Sequence, residues 1–440
     1  MGAQRPVRCG TAIAVLALVL SACGSGGEAE DRTGKGGTSG KRAPASAHRP
    51  KGFPAPLRFS RTRAIALPDS AGAGKVAIAG VRLPLPVALH KGVAFIARPD
   101  GLEVFDGLKA SKSALIRPEH VPVTRLEDLG GLIGDNPAEA PLITSEGSTT
   151  WALNALVTEV RGSGTSKGHD VVELMATDTA RAVKSWFVEI KLAEEDDFGD
   201  DRDEAHVIGR SGDTVIVFAR GKIFGVSLKS HKQAWAADGW YRTGAVVAGN
   251  TVVAITGEEG RDDQVVGLNG ASGRQVWQSP RESADPSPSG LDVAGPDSVM
   301  TSEYAHNADE RNYLLEAATG KVRRMLPAGS PGSDCAYDGL SATVCSGSRL
   351  EKALAAYDPK SGKELWKLPD EPASRVAPKV TLVRQGLIYG TTSNGPVVLD
   401  AGTGKDKEDA PGIAPYVLDN YVGITETQED TGLTAYRTVG

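Results

Sequence analysis

A short unit recurs along this chain, and its spacing leaves little choice of fold. The clearest copy is LAAYDPKSGKELW at 354–366: an apolar strand, Asp358, a turn holding Gly362, and a second strand reaching Trp366. VVGLNGASGRQVW repeats the spacing with Asn269, Gly273 and Trp277, and ELMATDTARAVKSW does so with Asp178, Ala182 and Trp186. Weaker copies are GVSLKSHKQAW (Ser227, His231, Trp235), LLEAATGK (Glu316, Gly320, then Arg324 in the Trp position), VVLDAGTGK (Asp400, Gly404) and LEVFDGLKASKSA (Asp106, Ala110, Ala114). LTAYR at 433–437 aligns with the start of the unit just before the sequence ends. The turn positions 106, 178, 227, 269, 316, 358, 400 and 437 lie mostly 37 to 49 residues apart; one interval of 72 spans a polar insertion between Pro118 and Thr150.

Each position has a mechanical role. Asp or Asn opening a turn accepts hydrogen bonds from backbone N–H groups two residues on. Glycine four residues later tolerates the positive φ that such connections need. A Trp on the following strand offers a large flat surface to a neighbouring sheet. Two more short apolar runs precede each motif, as in VTLVRQGLIYGTT at 380–392. Four short strands in about 40 to 50 residues make one propeller blade, and a blade cannot bury both faces unless others stack beside it. The expected fold is all-β: an eight-bladed β-propeller of four-stranded antiparallel blades, with seven blades as the runner-up. No residues follow Arg437 for an outermost strand, so a strand within Leu57–Leu67 is expected to fill that slot and close the ring. The units resemble the pyrroloquinoline-quinone-type propeller repeat over nearly all of residues 80–440. That repeat occurs in quinoprotein dehydrogenases and in many cofactor-free proteins, so the resemblance implies a fold more than a function.

The N-terminus reads as an export signal. Arg5 and Arg8 precede an apolar stretch, Thr11–Leu20, about half as long as a membrane-spanning helix of roughly 20 residues. Leu20-Ser21-Ala22-Cys23 then resembles the lipobox of bacterial lipoproteins, which implies cleavage before Cys23 and diacylation of its thiol. Two acyl chains give the stable anchoring that one does not. The expected organisation is a signal peptide at 1–22, a lipidated disordered linker at 23–56 and a propeller at 57–440. A flexible coil of that linker's length spans about 30 Å. A Gly-, Ala-, Arg- and Asp-rich composition suits a high-GC actinobacterium.

Residues 57–440 carry 41 basic against 52 acidic side chains, a net of −11. An acidic globule is poorly suited to phosphate backbones, so nucleic acid is not an expected partner. Cys335 and Cys345, ten apart in an exported chain, read as a disulfide across one hairpin, worth at most about 3 kcal/mol. The run AEEDDFGDDRDEAH at 193–206 gathers eight carboxylates, which suits a hard cation such as calcium. It has neither EF-hand nor nonapeptide spacing and reads better as a solvated loop. Trp186, Trp235, Trp277 and Trp366 share one repeat position and should pack; Trp151 and Trp240 lie off the repeat and are candidates for a binding surface. No nucleophile elbow, His-Glu-x-x-His pair or phosphate loop occurs, so no catalytic residues, cofactor or metal are assigned. The resulting expectation is a membrane-anchored, extracytoplasmic binding or scaffold propeller for a protein or cell-envelope ligand. The alternatives are an extracellular ligand sensor and a quinone-dependent dehydrogenase. The adjacent-cysteine pair typical of such dehydrogenases does not occur in the sequence.

Overall fold

In a computed structural model, residues 52–440 are described except for 73–84, 110–111, 124–137, 193–203, 243, 259–260, 280–286, 305–310, 333, 348–352 and 427–431. The signal peptide, Cys23, most of the linker and most of the acidic run lie outside the described residues. The described chain forms eight antiparallel sheets, and its only helical element is one 3-10 turn at Asp69–Gly72. The sequence-based expectation of eight blades holds. Blade 1 contains Val87–His90, Val93–Arg98, Gly101–Asp106 and Ala114–Ile116, in that order across the sheet. Blades 3 to 7 repeat this meander, starting at Ala205, Val246, Ser287, Asp334 and Lys379. The first strands of neighbouring blades approach one another in chain order, from blade 8 through blade 1 to blade 7, and so ring a common axis.

The second strands show why the sequence chooses this arrangement. In blade 3, Thr214–Ala219 (TVIVFA) is buried throughout. Side chains alternate across a strand, so Val215, Val217 and Ala219 join the cluster facing blade 2 while Ile216 and Phe218 join the one facing blade 4. A strand buried on both faces needs a continuous apolar run rather than an alternating one. Eight such clusters occur among the described residues, one between each pair of neighbouring blades, including blades 8 and 1.

The repeat motif builds the link between blades. Asp358 shows the turn: its carboxylate accepts N–H groups from Lys360 and Ser361, and its carbonyl accepts from Gly362 N at 2.8 Å. The same backbone bond to the fourth residue recurs at Asp178, Ser227, Asn269, Glu316 and Asp400. Over five of these six turns, those of blades 3 to 7, lies a side chain from the outermost strand of the preceding blade. Trp277 of blade 4 covers Gly320 of blade 5, and its Nε1 donates to Ala317 O at 2.8 Å. Trp366 of blade 6 covers Gly404 of blade 7, donating to Ala401 O at 2.8 Å. Glycine is required at both turns twice over: φ is +69° and +68°, and a Cβ would sit 2.3 Å and 2.6 Å from the indole. Deviations from the motif compensate one another. His231 replaces glycine at φ 51° and stacks on Trp186 with ring centroids 4.3 Å apart. Where Arg324 replaces Trp, its aliphatic stem lies on Gly362.

Blade 8 joins the two ends of the described chain. Val417–Leu418, Val422–Glu426 and Leu433–Thr438 pair in order, and Phe59–Ala66 completes the sheet as its outermost strand. The closing strand lies where the sequence placed it. The ordered N-terminal segment begins earlier than position 57, however. Phe53 N donates to Asn420 O (2.7 Å), Ala55 N to Gln385 Oε1 (3.0 Å), and the buried Tyr389 hydroxyl donates to Pro56 O (2.8 Å). Residues 53–56, assigned to the linker on composition, therefore dock on blades 7 and 8. They do so because their backbone groups and the Ala55 methyl find partners that composition cannot reveal. At the seam Glu408 takes the Trp position and pairs with Arg58 Nε at 2.5 Å.

The polar insertion is only partly a loop. Its end, Leu142–Glu146, is the first strand of blade 2, and Val121–Pro122 pairs with the far half of the same neighbour, the twelve-residue Thr149–Val160. The fully buried Glu173 fixes this segment by accepting N–H groups from Glu119 (2.7 Å) and His120 (3.2 Å). Cys335 and Cys345 are bonded and directly opposite each other on the first two strands of blade 6.

Because one sheet and two blade interfaces depend on the closing strand, deletion of residues 52–66 should convert a cooperative melt into an early, broad one with aggregation. Circular dichroism melting with light scattering checks this. A deletion variant that melts within 2–3 °C of the full chain, about 1 kcal/mol, would show that the strand is ornamental.

Candidate functional site

The first strands leave an axial cavity of about 780 Å³, walled by blades 1, 2, 3, 7 and 8. About half of its lining is apolar, with Leu89, Ile143, Val207, Leu382 and Val417 among the residues. All first strands run in the same sense, so the turns that follow them gather at one mouth. There Lys91 and Arg384 bring positive charge beside His90. Arg384 Nη1 donates to Leu418 O at 2.5 Å, joining blade 7 to blade 8. Asp419 at the same mouth accepts N–H groups from Gly92 (2.5 Å), Tyr421 (2.7 Å) and Val422 (2.9 Å), joining blade 8 to blade 1. Its charge is thus committed to the frame. At the opposite mouth, Ala140–Pro141 and Val207–Ile208 line the cavity, with Glu139, Glu204 and His206 next to them in sequence.

A second group of carboxylates lies on the first strands of blades 5 and 6. Burial pushes Asp292 up to about 6; the N–H donated by Cys335 (3.0 Å) opposes this, and the charge of Asp334 adds to it. Asp334 is raised as well, by desolvation, although solvent reaches it. Walls of protein on an otherwise open strand account for both observations. These residues escaped the sequence reading because a lone Asp in a short strand carries no signal of its depth.

The sequence-derived candidates are scattered. The bonded cysteines belong to the apolar cluster between blades 5 and 6. Trp151, expected on a binding surface, is instead core: it is 8% exposed, packs between blades 2 and 3, and meets Trp186 edge-on at 5.7 Å. It stands on a second strand, where both faces are covered, and that outweighs its departure from the repeat. Trp240 is half-buried over Gly221, with Lys222 Nζ 5.7 Å from its ring.

Residues 186–347, from the last strand of blade 2 into blade 6, match the family described as outer membrane protein assembly factor BamB. The protein is an eight-bladed β-propeller, and that stretch of it resembles the PQQ-like repeat. No curated protein matches it. Among solved structures it is similar to BamB from Moraxella catarrhalis, at 16% identity and a TM-score of 0.42 over 86% of this chain and 99% of that one. It is also similar to the computationally designed Ika8 protein (13%, 0.46, 80% and 95%) and to a europium-containing methanol dehydrogenase (10%, 0.42, 73% and 77%). The disulfide lies inside a blade interface, and the Trp277 and Trp366 indoles on outermost strands, so none of them lines the axial cavity.

The raised pKa of Asp292 has a definite sign. Between about pH 4 and 6 the folded propeller keeps a proton that the unfolded chain has lost, so this group's contribution to stability falls as pH rises through that window. Asp292→Asn should therefore be nearly neutral at pH 4 and stabilising at pH 7, by up to about 3 kcal/mol for a shift of about two units. Denaturant melts of both proteins at the two pH values measure this. A constant difference would show that the carboxyl is not desolvated.

Proposed function

We propose that this propeller is an extracytoplasmic binding scaffold, anchored to a membrane through diacylated Cys23, which takes a protein or cell-envelope ligand at the axial cavity. The observation that carries the reading is the junction of tether and cavity. Gly52 packs on Tyr421, and Phe53 N donates to Asn420 O at 2.7 Å; both Asn420 and Tyr421 line the cavity. The chain thus arrives at the rim of its own cavity, beside His90, Lys91 and Arg384. A lipid anchor upstream would present that basic mouth to anionic headgroups and hold a captured ligand close to the surface. The rigid closed ring suits this role, since a preformed cavity binds without an ordering cost. Family resemblance supports scaffolding in general terms and does not name a partner.

Two measurements on intact cells test the reading. Cys23→Ser should move the chain from the membrane to the soluble fraction, while equal membrane retention would contradict the anchor. A photo-crosslinking residue at Tyr416, in the cavity wall, should give a discrete adduct that one at the exposed outer-strand Leu365 does not. Adducts from Leu365 alone would place binding on the rim instead.

A further inference from the structure

Three side chains from two blades converge where blades 2 and 3 begin. Glu139 lies just before Leu142–Glu146, the first strand of blade 2, while Glu204 and His206 flank Ala205, the first residue of blade 3's first strand. One side-chain donor atom from each can be chosen so that all three lie within 4.8 Å of one another. His206 Nε2 is 3.7 Å from Glu139 Oε1, and Nδ1 is 3.4 Å from Glu204 Oε1. The imidazole is only 4% exposed, yet its buried Nδ1 makes no hydrogen bond; the Glu204 oxygen is near it without the required geometry. Packing rather than hydrogen bonding orients the ring, which stacks on Phe218 with centroids 5.1 Å apart.

A buried ring nitrogen without a hydrogen bond is costly, and two carboxylates converging on one imidazole invite a cation. Two donors each about 2.1 Å from one ion, at angles near 110–120°, stand roughly 3.4–3.7 Å apart. A single ion takes only one nitrogen of an imidazole; the 3.4 Å between Nδ1 and Glu204 Oε1 has this spacing, and one ring nitrogen and one oxygen from each carboxylate lie within 4.8 Å of one another. We infer that Glu139, Glu204 and His206 form a site for one divalent transition-metal ion of the zinc class. The donor set of one imidazole nitrogen and two carboxylate oxygens selects the ion class, because calcium and magnesium prefer oxygen alone whereas imidazole suits zinc and its neighbours. Three protein donors leave a coordination position for water or for an oxygen of a cavity ligand. The next residues of both segments, Ala140–Pro141 and Val207–Ile208, line the axial cavity, so that position lies at its mouth. The site also ties the blade 2 insertion to blade 3 through an ion, and it stands whether or not the anchored-scaffold reading does.

The test is zinc titration of the chelator-treated full-length chain, followed by calorimetry and by thermal melting, with cobalt as a spectroscopic substitute. One equivalent of Zn²⁺ should bind and raise the melting temperature, and Co²⁺ should give visible d–d bands. Glu139→Gln and Glu204→Gln preserve side-chain volume and should each weaken Zn²⁺ binding at least tenfold; His206→Ala should abolish it. Absence of saturable Zn²⁺ binding would overturn the proposal, as would Gln variants that bind as tightly as the wild type. Calcium binding in preference to zinc, unchanged in the Gln variants, would assign the cation to the acidic run at 193–203 and overturn it too.

Discussion

An indole from one blade lying on the turn of the next is the contact around which this molecule is organised. A four-stranded sheet with two apolar faces has no stable existence alone, and its neighbours must be set at a fixed distance and angle for both faces to close. Trp277 and Trp366 set that geometry with two features at once: a flat ring against a glycine that has no Cβ, and an N–H donated to the carbonyl just after the turn acid. Aromatic burial supplies the energy and the hydrogen bond fixes the orientation. Sites that lose one partner gain another, as where His231 meets Trp186 and Arg324 meets Gly362. The socket persists while the residues filling it change.

A ring made of such contacts is only as strong as its weakest joint, and the seam between the chain's two ends has no indole. There the N-terminal strand completes blade 8, Leu57 and Arg58 donate to Gly440 O, and Arg58 pairs with Glu408 in place of the Trp–Gly contact. This closure also fixes where the N-terminal segment leaves the propeller, next to the axial cavity. Architecture and proposed role therefore share one cause. The segment that runs into the strand removing an open edge, Gly52–Pro56, lies at the rim of the cavity.

The repeat made the fold legible because each of its positions answers a separate physical need, and eight imperfect copies still show the pattern. The closing strand was legible by subtraction, since the eighth unit lacked a strand and LRFSRTRAIAL was available. The bonded cysteines could be read from spacing. The cavity could not, because its lining comes from first strands, which lack a motif and are distinguished only by facing the axis. Asp292 and His206 belong to that class: single polar residues in first strands whose depth depends on the whole ring. Trp151 misled for the opposite reason, its departure from the repeat suggesting exposure while its place on a second strand buried it.

The inter-blade socket is tested most directly by a double-mutant cycle between Trp277 and Gly320, measured by denaturant unfolding. Gly320→Ala adds a methyl at a positive φ and within reach of the indole, so it carries both a backbone and a steric cost. In a Trp277→Leu background the steric part should vanish, giving a coupling of at least 1 kcal/mol between the two sites. Strict additivity would mean that the ring does not rest on the next blade's turn and would contradict the account.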